Sequence, residues 1–367
     1  MSIYFPLLRV QRGECDAIKE LSPGVRENVY PTWELTQIPQ RSVRDGGGDK
    51  ITLEEHLKNT FEKLMLTTLN GQALAVDVSL YDTVFESDAG DLVHTITYLN
   101  NLCTRHNIQL EPVVTDTSSD DLIQAIVDCK CKSVCIRVNA DDREYKAIKS
   151  ENNRLYKALG LEQAQIRLIF DLKGVNEKNF SKRQSSIVSL LQNMTSLEGW
   201  KNTSIASSSY RDSMSGAEKH KVLREPLLEV QLWKNLSSLN IVASPNYGDY
   251  CLSAATLSYD TPVEFMNPSA TIRYSSPLHW IYVKGEQVKG RGGKKGAGWS
   301  QTQALCKILI DTVEYRSFGN KYSWGDKHIS DRSENKVSSG TGSTWRQAGV
   351  NHHATMIVKH LSNQSEI

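Results

Sequence analysis

The sequence predicts a (β/α)8, TIM-like barrel with a β-hairpin insertion and a C-terminal extension. Three observations predict it. Eight short β-rich apolar runs recur along the chain, helix-patterned stretches separate them, and 367 residues are enough for such a barrel with additions. A doubly wound open sheet is the runner-up for the same alternation.

The strand runs are Tyr4 to Val10, Val29 to Leu35, Ala73 to Leu80, Leu110 to Thr115, Ser133 to Val138, Ile166 to Leu172, Thr203 to Ser207 and Ile241 to Cys251. Helix patterns fill Glu14 to Leu21, Thr52 to Leu69, Asp91 to His106, Asp120 to Cys129, Glu144 to Leu159, Gln184 to Leu197 and Glu225 to Leu239. Leu53, Leu57, Phe61, Leu64 and Met65 form one helical stripe, and Ser118-Ser119-Asp120-Asp121 before Leu122 reads as an N-cap. An eighth helix, Gln303 to Val313, arrives late. The chain thus reads as a single barrel domain over 1–367, with a hairpin and basic-loop insertion at 252–300 and an extension over the barrel rim at 321–367. The hairpin is expected at Ala270 to Ser275 and Trp280 to Lys284, and a glycine-rich loop at Arg41 to Lys50.

With 43 basic and 42 acidic residues the formal net charge is +1, so no global field draws the chain to nucleic acid or membrane. Any such partner must meet a local patch. Seven cysteines, an odd number without a disulfide pattern, fit a reducing compartment, and a cytoplasmic location is expected. Cys129-x-Cys131 with Cys135 lacks a second close ligand pair for a metal. No apolar run reaches the roughly 20 residues of a membrane span. Walker, dinucleotide-binding, Gly-x-Ser-x-Gly and His-Glu-x-x-His patterns are all missing from the sequence.

In a barrel, residues at the carboxyl ends of strands face one bowl, so charges that interrupt apolar strand runs are the candidates. They are Arg9 and Glu14, Glu34, Asp77, Arg137, Asp171 with Lys173, and Asp249, which lies between Tyr247 and Tyr250 in Pro245-Asn246-Tyr247-Gly248-Asp249-Tyr250. Two carboxylates about 5 Å apart repel by roughly 3 kcal/mol at an effective dielectric near 20. Glu34, Asp77, Asp171 and Asp249 therefore need arginines, a divalent cation such as Mg2+ or Mn2+, or a raised pKa in one of them. An inert network of salt bridges closing the mouth is the structural alternative. The run Lys284 to Lys295 mixes cations with glycines and suits phosphate or a nucleic-acid backbone. Trp345-Arg346 and Asn351-His352-His353 add an aromatic, a bidentate donor and two imidazoles; in a strand the adjacent histidines would point apart.

Tyr4-Phe5-Pro6-Leu7-Leu8-Arg9 with Gly13-Glu14, Pro31-Thr32-Trp33-Glu34, Gly248-Asp249-Tyr250, Ile272-Arg273-Tyr274, and Trp345-Arg346 with Asn351-His352-His353 follow one another over residues 4 to 361. In that order they resemble the phage and bacterial "beta protein" family. The resemblance implies a barrel protein encoded by phages and bacteria, often among mobile or defence genes. That family commonly has lysine where this chain has Arg9.

Two functions are expected from these readings. The first is an enzyme acting on a nucleotide or nucleic acid at the mouth: Arg137, Arg273 and Arg346 hold phosphate, and Tyr247, Tyr250, Tyr274 or Trp345 contact the ligand. Glu34, Asp77, Asp171 and Asp249 bind a metal or act as acid and base, and His352 or His353 exchanges protons. The second is a non-catalytic recognition subunit that binds a partner protein in an anti-phage complex.

Overall fold

In a computed structural model the described residues are 4–39, 51–140, 145–193, 199–238, 245–256, 267–290 and 295–364. The loop expected at Arg41 to Lys50 lies outside them. Eight strands, β1 (Leu7–Arg9), β2 (Thr32–Glu34), β3 (Leu74–Asp77), β4 (Leu110–Val114), β5 (Val134–Asn139), β6 (Ile166–Gly174), β7 (Asn202–Ser208) and β8 (Asn246–Asp249), form one sheet in sequence order. Every neighbouring pair is parallel. The sheet closes on itself through a parallel bridge between Tyr4 and Tyr247, where the Phe5 amide donates to the Tyr247 carbonyl at 2.9 Å. That closure separates a barrel from the open-sheet runner-up. A Cβ on Gly248 would lie 2.6 Å from the Phe5 carbonyl oxygen, so the seam admits only glycine there.

Helices α1 (Arg12–Lys19), α2 (Leu53–Met65), α3 (Thr95–Arg105), α4 (Asp120–Asp128), α5 (Tyr145–Leu159), α6 (Phe180–Asn193) and α7 (Leu228–Ser237) follow the first seven strands. The expected cap is Ser119, whose Oγ accepts the Leu122 amide at 3.0 Å, and Thr52 caps α2 in the same way. Two helices begin later than their sequence patterns suggest. Leu92–His94 pairs with Val84–Glu86 as a ribbon turned at Gly90 (φ 83°), and Val222–Pro226 is a strand rather than the start of α7. That strand joins the expected hairpin, Ser269–Ser275 and His279–Gln287, as a third antiparallel member.

The helix that walls the barrel after β8 is not the expected one. Thr302–Ile310 packs Leu305, Cys306 and Leu309 against Ile272, Ile281 and Trp345 in a separate apolar cluster on the three-stranded sheet. The wall is instead α8 (Gly342–Gln364), which places Val350, Ala354, Ile357 and Leu361 in the main core and packs along α1. The two helices meet so closely that a Cβ on Gly13 would lie 2.6 Å from the Ser343 carbonyl oxygen. Both segments have an apolar face, and chain order favoured the earlier one. The buried polar trio Asn351, His352 and His353 disguised the face of the later one.

Alternation along the strands builds the barrel interior in layers. Glu111 and Arg167 lie at the amino-terminal end, joined by an Arg167 Nε to Glu111 Oε1 bond of 2.7 Å. Leu7, Val113, Cys135, Ile169 and Ala206 form an apolar middle beneath Tyr250. Two residues further along their strands come Arg9, Arg137 and Asp171. Cys129 and Cys131 are half-buried outside this interior, and Cys135 is buried within it.

If α8 is a wall of the barrel, Ile357→Ala, at a fully buried position, leaves a cavity in the main core. The expected loss is about 2–5 kcal/mol in urea unfolding. A loss below about 1 kcal/mol, the scale of surface substitutions, would mean that the helix only drapes over the molecule.

Candidate functional site at the barrel mouth

Arg137, on β5, is the centre of the mouth. Its Nη1 donates to Glu34 Oε1 at 2.7 Å and to Asp77 Oδ2 at 3.0 Å, its Nε to Asp171 Oδ2 at 2.9 Å, and its Nη2 to the Tyr250 hydroxyl at 2.8 Å. Strand register brings these groups together: Arg9 lies opposite Glu34, and Glu34 opposite Asp77, at the carboxyl ends of adjacent strands. Three of the four acids read from the sequence therefore converge. Tyr250 donates to Asp171 at 2.5 Å, and Lys173 Nζ approaches the same carboxylate at 2.8 Å. Lys173 has φ 55° where the β6 register shifts, a left-handed conformation that turns its side chain back to the rim.

Burial raises the pKa of Asp171, but Arg137 and Lys173 outweigh it and the net shift is downward. Burial opposes charge on Arg137 as well, and Tyr250 with the three acids reverses that effect. Arg137 thus takes the place a divalent cation would need. Among the described residues no group of three or more His, Cys, Asp or Glu has an arrangement that holds a metal ion. Above the cluster opens a cavity of about 460 Å³, lined also by Arg9, Thr115 and Asn139.

A second cavity of about 420 Å³ shares Arg9 and Thr256 with the first and is lined by Arg211, Arg273 and Arg346. Most of these guanidinium groups are paired. Arg346 Nη1 donates to Glu14 Oε1 at 3.1 Å and Ser253 Oγ at 3.0 Å, Arg211 meets Glu225 at 3.0 Å, and Arg9 Nη2 donates to the Ala254 carbonyl at 2.7 Å. Arg273 differs. Its Nη1 reaches only the Thr271 carbonyl, at 3.3 Å; its Nε is buried without a partner, and among the described residues no carboxylate pairs with it.

Asp249, His352, His353, Tyr247, Tyr274 and Trp345 are buried and line neither cavity. Asp249 accepts from Tyr4 (2.6 Å), Tyr247 (2.8 Å) and the Cys251 amide (2.9 Å), and it meets His353 Nε2 at 2.9 Å. Burial pushes its pKa up, and His353 with these hydrogen bonds brings it below the usual carboxylate range. His353 Nδ1 bonds the Ser275 hydroxyl at 2.9 Å, while His352 bridges Asp326 (2.9 Å) and the Ser275 carbonyl (2.8 Å). Both histidines are on a helix rather than a strand, and both are fully buried. Tyr274 stacks on His352 at 3.7 Å and donates to Asp326, and the Trp345 indole donates to the Ser339 carbonyl at 3.0 Å.

A family model described as Beta protein matches residues 4–359. The chain belongs to the Beta protein family. Among curated proteins none matches it. Among solved structures it is similar to a crystal structure of triosephosphate isomerase from Bartonella henselae, with 12% identity and a TM-score of 0.32 over 67% of this chain and 90% of that one. So distant a likeness adds nothing to the strand order and closure, which define the barrel by themselves.

Sequence reading missed one residue of the second cavity, Arg211, and two buried acids, Glu229 and Asp326, in this Beta protein. Arg211 lies outside every strand and helix, and Glu229 and Asp326 lie in first helical turns, where acids ordinarily face water. Glu229 is buried against the Trp280 indole (3.1 Å) and Ser209. Burial drives its pKa up to about 7, hydrogen bonds from Ser209 oppose the shift, and Asp249 adds to it.

Two predictions follow from these groups. Asp171→Asn removes the acceptor shared by Arg137, Tyr250 and Lys173 and leaves a buried cation undercompensated; the expected cost is about 3–5 kcal/mol, read by chemical denaturation. Retention of wild-type stability would make the cluster dispensable for folding. For Glu229, the folded state keeps a proton that the unfolded chain releases between the ordinary value of 4.5 and about 7, so its contribution to stability is present at low pH and lost across that window. Urea unfolding of Glu229→Gln should therefore gain on wild type as pH rises from 4 to 8, and a pH-independent difference would refute the assignment.

Proposed function

We propose that this protein binds a phosphate-containing ligand, a nucleotide or nucleic acid, beside the carboxyl-terminal mouth of its barrel. The phosphate rests on Arg273, within reach of Arg9, Arg211 and Arg346. The observation that carries this reading is Arg273, which pairs with no carboxylate among the described residues, keeps a buried Nε without a partner, and lines a cavity together with Arg9, Arg211 and Arg346. A planar guanidinium with free donors suits a phosphate's oxygens, and removing surrounding water strengthens the pairing. The C-terminal rim is also the face on which barrels of this class carry their ligands.

Support goes to binding rather than hydrolysis. Glu34, Asp77 and Asp171 hold Arg137, and the two buried histidines line neither cavity. The family resemblance favours a phage- or defence-associated role. Seven free cysteines favour a reducing, cytoplasmic setting, and no described helix is long and apolar enough to cross a membrane.

Isothermal titration with adenosine monophosphate tests the site. Arg273→Ala, at a half-buried position, is expected to fold normally and to lose about tenfold or more in affinity, since a hydrogen bond to a charged group contributes roughly 1.5–3 kcal/mol. Arg273→Lys restores part of it. Undiminished affinity in Arg273→Ala would overturn the reading.

A further inference from the structure

Arg273 belongs to two cavities. Besides the arginine pocket it lines a third space of about 780 Å³ that runs along the hairpin sheet and also shares Asp212 and Met214 with that pocket. This space carries Lys219, Lys284, Lys289 and Lys295 against the carboxylates of Asp212 and Glu286. Among the described residues the two cavities present four arginines and four lysines to two acids, in a chain whose 43 basic and 42 acidic residues nearly cancel. Adding Glu14, Glu34 and Glu225, which pair with the arginines from just outside, still leaves eight cations to five acids.

The lysines differ in what they already hold. Lys219 pairs with Glu286 at 2.6 Å, and Lys284 donates to the carbonyls of Met214 and Ala217 at 2.7 and 3.2 Å. Lys289 and Lys295 are exposed, and neither has an ion-pair partner among the described residues. Three cations, Arg273, Lys289 and Lys295, therefore have no carboxylate partner among the described residues, along two adjoining cavities that share Arg273, Asp212 and Met214.

We infer that the ligand is a single-stranded oligonucleotide, whose terminal phosphate sits on Arg273 and whose following phosphates run past Lys289 and Lys295. The inference rests on the phosphate-binding reading above. A lone phosphate or mononucleotide fills the arginine pocket and leaves the lysine trough unused. A double helix is too broad and stiff to enter such a concavity, whereas a flexible strand can follow it. Tyr210, half-buried at the arginine pocket, supplies an aromatic face for a base.

Fluorescence anisotropy of the full chain with 5′-phosphorylated oligothymidylates of three, six and twelve nucleotides, labelled at the 3′ end, tests this, with thymidine monophosphate as competitor. Affinity is expected to rise at least tenfold from mononucleotide to twelve-mer and then to fall with salt at a log–log slope of about −2, from three phosphate contacts at roughly 0.7 each. Lys289→Glu combined with Lys295→Glu, both at exposed positions, lowers twelve-mer affinity about tenfold. Equal affinity for mononucleotide and twelve-mer, tighter binding of a duplex, or an unaffected double variant would each overturn the inference while leaving the phosphate site intact. Failure of every phosphate ligand to bind overturns the site and the inference together.

Discussion

One buried guanidinium organises the upper half of this barrel. Without Arg137, the carboxylates of Glu34, Asp77 and Asp171 would face one another at the ends of three strands, in a space too poorly solvated to screen them. Without those acids the guanidinium would be desolvated with only the Tyr250 hydroxyl as a partner. Neither half is tolerable alone, so the cluster fixes the relative heights of β2, β3, β5 and β6. The apolar layer of Leu7, Val113, Cys135, Ile169 and Ala206 beneath it fills space but does not by itself select one register.

A second buried network ties the outer sheet to the barrel. Ser275, at the end of a hairpin strand, bonds His353 through its hydroxyl and His352 through its carbonyl, and the two histidines end on Asp249 in β8 and Asp326 in the helix Trp324–Ser333. Successive positions on a helix point about 100° apart, so one turn of α8 addresses the barrel and the outer cluster at once. The consequence reaches the arginine pocket. Arg273 is two residues before Ser275 on the same strand, and Arg346 is two helical turns before His353 on α8, so the histidine ties hold these two guanidinium groups on one wall.

The strands were legible because each is a short apolar run, and the mouth was legible because a charge inside such a run has few places to go except a barrel end. Arg9, Glu34, Asp77, Arg137 and Asp171 all yielded to that reasoning. Asp249 has the same local pattern but a different neighbourhood: Tyr4, Tyr247 and His353 come to it from segments whose approach depends on barrel closure and on α8. Glu111 and Arg167 follow the rule at the opposite end, yet a charge near a strand's start resembles ordinary strand-flanking polarity. Which of two amphipathic helices walls the barrel was hidden for a related reason, since hydrophobic spacing reports that a face is buried and not what buries it.

Pairing, rather than charge count, separates the two cavities at the rim. In the mouth, cations and acids meet at hydrogen-bonding distance, so the field there is largely cancelled within the protein and an incoming ion would have to displace an existing partner. Beside it, Arg273 lies opposite Tyr282 across the sheet, no carboxylate pairs with it among the described residues, and its Nε has already been desolvated by folding. The cost of stripping water from that donor is met during folding, so under the proposed reading a phosphate on this guanidinium would not repeat that part of the penalty. A nearly neutral chain can in this way carry uneven local charge: three of its 42 acidic residues are held by Arg137, whereas Arg273 pairs with no carboxylate among the described residues.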